Sequence, residues 1–549
     1  IQMSRNTDSH FGNVPSKNIG RSSFKMPFTH STTCNTGDII QIYAQEYLPG
    51  DTAKVKLSLL VRMQTPIAPV MDNAWIDTYF FAVPRRLVWE HWKEFMGENT
   101  TDAWTEETEY QIPQLVIPEN GFAKGTIGEK LFGIQGRAGG LKVDACYTRA
   151  YTLIFNEWFR NQNVTEPAEL SKGDADTTGS NGNSYVTDLQ KGGMPAKAVK
   201  YADYFTRALP EPQKGPDVYL PLGQTAPVFT QWENHKKQPY IPLKFREQNN
   251  PNEAPHLATL QVGGDSRGDN LYGSPATQNT KTDYLVPRNL YADLELAEAA
   301  TINQLRQAFA IQRMYEVDAR GGTRYTEILR AHFGVISPDA RQQRPEYLGG
   351  KRIPINISQV IQQSATDSTS PQGTAAAYSL TIDSDNMFTK SFDEHGIVLG
   401  LAVIRTEHTY QQGIARQFSR KNRVDFYWPE LSNIGEQYIK NKEIFAQGTS
   451  EDEEAFGYQE AWAEYRYANN KVTGELNSDY AQSLDLWTYA DDYSQLPTLS
   501  DEWIRETDTN VSRTLAIQNQ DQFLLNMYFD QTWVRPMPIY SIPSLTGWN

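Results

Sequence analysis

The chain has 549 residues, with 66 acidic against 51 basic side chains and a formal net charge of −15. That balance excludes a protein that coats nucleic acid with its whole surface, but leaves room for a local basic patch. No window reaches the roughly 18 uninterrupted apolar residues of a spanning helix, and the first residues lack the apolar segment of a secretory signal, so neither membrane insertion nor secretion is expected.

Residues 1–37 are polar and aperiodic, and their basic residues Arg5, Lys17, Arg21 and Lys25 face a single acid, Asp8. They read as an arm, disordered by itself, that touches a polyanion or packs against a neighbour. Residues 38–48 make a first strand ending at the turn Pro49-Gly50-Asp51. In 53–83, Val55, Leu57, Leu59 and Val61 alternate with Lys54, Lys56, Ser58 and Leu60, the period of a half-buried strand. A link containing Pro66 and Pro69 leads to a second strand from about Ala74 to Val83. Two apolar strands with a non-helical link point to a sandwich or barrel, and the pair reads at first as one hairpin.

Residues 87–95 have helical spacing, and 98–143 look like long loops. A stronger helix spans about 145–161, with Tyr147, Tyr151, Ile154, Phe155 and Trp158 on one face and Asp144 as its N-cap. Residues 163–195 are a polar surface loop, and 210–287 are Pro-punctuated or loop-like, unusually long for an insertion without a function. Two helices follow in 293–334. The first carries an apolar stripe of Leu294, Leu296, Ile302, Leu305 and Phe309 and ends at Gly321-Gly322; the second stops before Pro338. The strands 353–361 and 396–406 come next, the latter apolar enough to be buried on both faces. Residues 443–510 are acidic and read mostly as solvated faces. A last strand and a Pro-punctuated tail close the chain.

No Gly-rich phosphate loop, nucleophile elbow or zinc-binding helix motif is present. Cys34 and Cys146 stand far apart and suggest neither a disulfide framework nor a metal cluster. The pairs Glu90-His91, Glu394-His395 and Glu407-His408 lack metal-ligand spacing, so no catalytic residue, metal or cofactor is assigned. Arg267-Gly268-Asp269, with Tyr272 nearby, lies in the long loop and is a candidate for contact with a surface receptor. Residues 305–352 hold nine Arg or Lys against five acids and suit contact with nucleic acid or, the preferred reading, pairing with the acidic 443–510 region of another subunit. The 29 Tyr and 12 Trp suit wet interfaces or a large β core. Tyr427, Trp428, Trp462 and Tyr465 are the candidate interface anchors.

Seven stretches together carry a resemblance. They are 48–99 (opening LPGDTAKVKLSLLVRMQTPIAP), IFNEWFRNQN at 154–163, YFTRALPEPQKGPDVYLPLG at 204–223, 300–350 (ATINQLRQAFAIQRMYEVDARGG onward), FDEHGIVLGLAVIRTEHTYQQGI at 392–414, DFYWPELSNIGEQYIKNKEIF at 425–445 and YFDQTWVRPMPIYSIPSL at 528–545. The chain resembles the major capsid proteins of the Microviridae, gokushovirus branch, over most of its length outside 164–195 and 228–287. The resemblance implies a mainly β fold, an eight-stranded antiparallel jelly roll with long, partly helical insertions, and no enzymatic activity or cofactor. It implies pentamers, a 60-subunit T=1 shell around circular single-stranded DNA, and assembly in the bacterial cytoplasm into a virion. The partners would be a small internal DNA-binding protein, scaffolding proteins and a host-surface receptor. On this view 1–37 is an internal basic arm, 38–227 with 288–549 the capsid body, and 228–287 the threefold surface insertion. A β-sandwich glycan-binding protein or glycoside hydrolase is the alternative.

Overall fold

The alternation in residues 53–63 sets the architecture. In the computed structural model, which describes residues 20–99, 109–218, 302–361 and 375–540 and short strands at 228–230, 245–247, 260–265, 268–273, 285–287 and 290–292, Ala53, Val55, Leu57, Leu59, Val61 and Met63 are all buried. Between them Lys54, Lys56 and Arg62 are exposed. The side-chain period of two thus gives this strand one core face and one wet face.

Nine strands form two antiparallel sheets that share one core. They are β1 (Ser22–Lys25), β2 (Phe28–Cys34), β3 (Ile40–Tyr47), β4 (Thr52–Met63), β5 (Ala74–Pro84), β6 (Glu346–Pro354), β7 (Thr381–Ser391), β8 (Gly396–Thr406) and β9 (Phe523–Arg535). The first sheet runs β7-β4-β9, with β1 and β2 end to end along the far edge of β9. The second runs β6-β5-β8-β3. Apart from β1 to β2 and β5 to β6, which stay within one sheet, successive strands cross from sheet to sheet, the wiring of a jelly roll, which leaves each sheet one inner and one outer face. The five-plus-four count exceeds the expected eight because one edge position is filled by two short strands.

Three expectations are revised. β4 and β5 do not form a hairpin: they lie in opposite sheets, and their link is pinned elsewhere, with Ile67 N–H donating to Thr514 O at 2.8 Å and Ala516 N–H to Thr65 O at 3.1 Å. Residues 22–25 and 28–34, read as part of a polar arm, are strands, because β9 offers them a ladder from Ser22↔Arg535 to Lys25↔Thr532 and from Phe28↔Phe529 to Cys34↔Phe523. The acidic 443–510 stretch is not uniformly solvated: Glu443, Asp491 and Glu506 are buried.

The core is closed by large side chains with satisfied polar tips. Buried Gln531 accepts from Tyr43 Oη at 2.6 Å and from Trp533 Nε1 at 2.8 Å, so both aromatics bury their rings without an orphaned donor. The β3–β4 turn has Gly50 at φ +88°, where a side chain would be strained. Its Asp51 accepts from Leu48 N–H at 2.9 Å.

β8 is buried on both faces, as its unbroken apolar run predicts. Val398, Ala402 and Ile404 join the inter-sheet core, while Ile397, Leu399, Leu401 and Val403 face a second core. That second core is capped by helix α1 (Cys146–Ile154), which continues into a wider turn, Phe155–Phe159. Asp144 accepts from Cys146 N–H at 2.8 Å at the helix start. Tyr151, Ile154 and Phe155 are buried there, and Tyr151 Oη donates to Ile39 O at 2.7 Å. Residues 87–95 give only a single-turn segment and a four-residue helix, Trp92–Phe95.

The chain divides into two compact units, 1–213 with 318–549, and 214–317. In the smaller unit the strands pair as nested antiparallel ribbons: Val228–Thr230 with Leu290–Ala292, Phe245–Glu247 with Leu285–Pro287, and Leu260–Asp265 with Gly268–Gly273. Composition suggested an irregular loop; the ordering comes from cross-strand pairing at growing separation, which local periodicity does not report. Helix α2 (Ile302–Gly321) and helix α3 (Tyr325–Phe333) match the two predicted helices. Gly322 at φ +97° and Gly334 at φ +68° end them, a conformation that glycine adopts without strain. Ile302 and Phe309 of the expected stripe are exposed.

Candidate assembly and genome-contact surfaces

Residues 414–438 hold an uncommon density of exposed apolar groups. Phe418, Val424, Phe426 and Ile434 are exposed alongside Tyr427 and Trp428. The segment turns through three short 3₁₀ pieces, Arg416–Phe418, Arg423–Asp425 and Pro429–Leu431. Asp425 sets the middle one by accepting from Lys421 N–H at 2.7 Å and Asn422 N–H at 2.6 Å, and these two backbone donors hold its carboxyl below the usual range. Such local bonds favour turns over helix or strand, so the aromatics are held out rather than folded in.

Arginines are layered between the rings. The Arg420 guanidinium lies 5.2 Å from the Phe426 ring centre and 4.6 Å from that of Tyr465, and donates to Glu464 at 3.1 Å. Arg423 lies 4.4 Å over Trp428, whose Nε1 donates to Arg423 O at 3.0 Å. Cation–π contacts of this kind fix ring orientation while leaving outer ring faces free. Of the four sequence-predicted anchors, Tyr427, Trp428 and Tyr465 are 45%, 36% and 54% exposed, whereas Trp462 is 3% exposed. Trp462 sits beneath the others, packing edge-on to Tyr427 at 5.8 Å and donating Nε1–H to Leu431 O at 2.8 Å. The sequence reading missed Phe418 and Phe426 and the two arginines; the alternation of basic and aromatic residues in RQFSRKNRVDFYW (416–428) is the signal that could have found them.

The Glu407-His408 pair is not arranged for catalysis. His408 is buried, with Nδ1 3.0 Å from Asp491 and Nε2 3.1 Å from Glu506. Burial alone would lower its pKa, but the two carboxylates outweigh that and raise it to about 10. Both ring nitrogens are engaged by carboxylates, so the imidazolium has no free nitrogen with which to move a proton. Asp491 also receives Asn510 Nδ2 at 2.6 Å and Tyr493 Oη at 2.9 Å. Burial opposes its ionisation, yet the His408 charge holds it well below the usual carboxylate range. This is a structural charge cluster. Cys34 and Cys146 are both free and buried. Burial pushes the Cys146 thiol up to about 12, which makes it a poor nucleophile. No group of metal-ligating side chains occurs among the described residues.

Of the predicted DNA-facing residues, Arg21 and Lys25 are exposed at the start of the first sheet, Lys25 3.6 Å from Asp530. Arg5 and Lys17 lie outside the described residues, as does Arg267 of the receptor tripeptide. Asp269 and Tyr272 are placed by backbone only, Asp269 opposite Gly264 beside the turn of the innermost ribbon and Tyr272 opposite Gln261 near its open end.

Residues 12–545 match the family model described as capsid protein (F protein). The chain belongs to that capsid-protein family. It is 42% identical to capsid protein VP1 of Spiroplasma virus 4 over 542 residues, covering 97% of each chain. It is 40% identical to capsid protein VP1 of Bdellovibrio phage phiMH2K over 549 residues, covering 99% of each. With capsid protein VP1 of Chlamydia phage 1 it shares 36% over 587 residues, covering 97% of each. The role is therefore structural: a phage capsid protein, part of the virion, that assembles with copies of itself and is not an enzyme.

Proposed function

We propose that the chain is the major capsid protein of a gokushovirus-type phage, which assembles through pentamers into a 60-subunit T=1 shell around a circular single-stranded DNA genome. The observation that carries this reading is the near full-length similarity to three phage VP1 capsid proteins. Within that reading, Tyr427, Trp428 and Tyr465, supported by Trp462, anchor contacts between subunits. Exposed rings with a polar tip, held in place by arginine, suit an interface core that excludes water around a few strong contacts. Multivalent closure lets each contact be weak.

Residues 1–21 form the inner arm and lead into β1; Arg5, Lys17 and Arg21, with Lys25 on β1, meet the genome through salt-sensitive phosphate contacts. Residues 22–227 and 288–549 form the capsid body. Residues 228–287 form the threefold insertion, and Arg267, Asp269 and Tyr272 meet the host receptor. Assembly takes place in the bacterial cytoplasm with scaffolding proteins and a small internal DNA-binding protein. Electron microscopy of purified protein, with sedimentation and nuclease digestion, tests this. Closed shells of one size holding nuclease-protected single-stranded DNA are expected; a monodisperse monomer under conditions that assemble a related capsid protein would refute it. Replacing 228–287 with a short Gly/Ser link should spare shells and abolish attachment.

A further inference from the structure

Four stretches far apart in the sequence, 160–163, 207–209, 319–331 and 459–467, meet within the larger compact unit and line an open cleft of about 780 Å³. Four arginines, Arg160, Arg207, Arg320 and Arg330, face two glutamates, Glu327 and Glu460, in its wall. Both glutamates are engaged by other residues. Glu327 accepts from Gln162 Nε2 at 2.6 Å and from Arg324 Nη1 at 3.2 Å, and Glu460 pairs with Arg466 at 2.8 Å. Arg320, in the last turn of α2, is taken up by Glu436 and Gln459. The other three arginines have no carboxylate partner among the described residues. Arg160 donates from Nη1 to Thr165 O at 2.9 Å, but its Nε is buried and meets no acceptor there. Burial, and then the charge of neighbouring Arg324, lowers the Arg160 pKa, as happens to a cation short of compensation. Arg207 is held against Tyr467, donating from Nη1 to Tyr467 Oη at 3.1 Å with its guanidinium 5.2 Å from the ring centre. Arg330, exposed on α3, makes no side-chain hydrogen bond or ion pair among the described residues.

We propose that this cleft binds a small multivalent oxyanion through Arg160, Arg207 and Arg330. Three guanidinium groups without counter-ions repel one another, and the partial burial of Arg160 adds to that cost; an anion held between them offsets both. Their concentration at one place is a local reversal of sign in a chain of net charge −15. Each guanidinium presents a planar fork of N–H donors that matches a carboxylate or a phosphate group. The volume suits a small molecule, and Glu327 and Glu460 in the wall oppose a polymer whose negative charges follow one another closely. A compact anion is therefore favoured over a nucleic-acid strand. Because the cleft joins four distant stretches, an anion bound there ties them together and stabilises the subunit by mass action.

The test uses the full-length, unassembled protein at constant ionic strength, with citrate and tripolyphosphate as separate ligands in calorimetric titration and thermal melting. At least one should bind saturably and raise the melting temperature, and the tighter of the two identifies the recognised groups as carboxylate or phosphate. Arg330→Gln and Arg207→Gln should each weaken that binding by about tenfold, the loss of one charge-assisted contact, and leave the melting temperature of the ligand-free protein unchanged. Arg160→Gln should abolish binding. The double variant K54Q/K56Q, which removes cations from the outer face of the first sheet, should bind normally. Absence of saturable binding by either anion overturns the proposal, as does unchanged affinity in Arg330→Gln. Equal loss in K54Q/K56Q also overturns it, since that would be screening over the whole surface. So does a thymidine oligonucleotide that binds through Arg330 with neither small anion competing, which would make the cleft a strand contact. Loss of subunit association in Arg330→Glu, with no effect of either anion, overturns it in favour of a contact between copies. If Arg160→Gln does not fold, the exposed Arg330 and Arg207 decide the matter.

Discussion

The two sheets of the sandwich share one core but treat their outer faces in opposite ways. On β8 the outward residues Ile397, Leu399, Leu401 and Val403 are buried beneath α1 and its neighbours. On β4 the outward residues Lys54, Lys56 and Arg62 meet solvent. Strand geometry is the same in both, so what differs is cover. A covered face is apolar, which produces an unbroken hydrophobic run; a bare face tolerates polar and charged groups, which produces alternation. The bare face is then free to carry charge, and the covered one cannot.

That comparison breaks most sharply at Leu399. Leu399→Asp should put an unpaired carboxylate between the sheet and the helical layer and cost about 4 kcal/mol or more, seen as loss of soluble subunit or a large drop in denaturation midpoint. A soluble, normally stable variant would show that the cover is loose.

His408→Leu comes next. It leaves Asp491 and Glu506 buried without their shared cation and should destabilise the subunit by about 3–5 kcal/mol. The parent protein carries a pH signature from the same cluster. Because the folded-state pKa of His408 is raised to about 10, its contribution is complete below the unfolded value of about 6.5 and is lost as pH rises through about 10. Asp491, held below its ordinary value, contributes above about 4 and loses that contribution as pH falls through its depressed pKa. Thermal midpoints should therefore fall on the alkaline side in the parent and stay flatter there in His408→Leu.

The aromatic segment should respond differently from either core. Tyr427→Ala or Trp428→Ala should leave the isolated subunit's melting temperature nearly unchanged but weaken assembly by about 2 kcal/mol per contact, or roughly thirtyfold in the concentration needed for shells. Light scattering against subunit concentration reads this directly, and equal loss of subunit stability would return both rings to a folding role. The smallest effect is expected on the bare sheet: Lys56→Gln should change unfolding free energy by no more than about 0.5 kcal/mol.

The sequence by itself determined faces and stops. Alternation in 53–63, the apolar run of 396–406, the helical stripe that includes Tyr151, Ile154 and Phe155, and the Pro49-Gly50-Asp51 turn were all legible, because burial on one side or two writes its period directly into the chain. Tertiary structure decided the partners. Period does not say which strand lies alongside, so β4 and β5 looked like a hairpin and proved to belong to opposite sheets. Residues 28–34 looked like part of a polar arm because their ladder is made with 523–529, at the other end of the chain. Asp491 looked solvated because its cations, His408 and Lys200, are far away in the chain. The aromatic anchors were nameable from composition, but exposure separated Tyr427, Trp428 and Tyr465 from buried Trp462. Exposure depends on what the rest of the chain covers, a long-range property that no local pattern encodes.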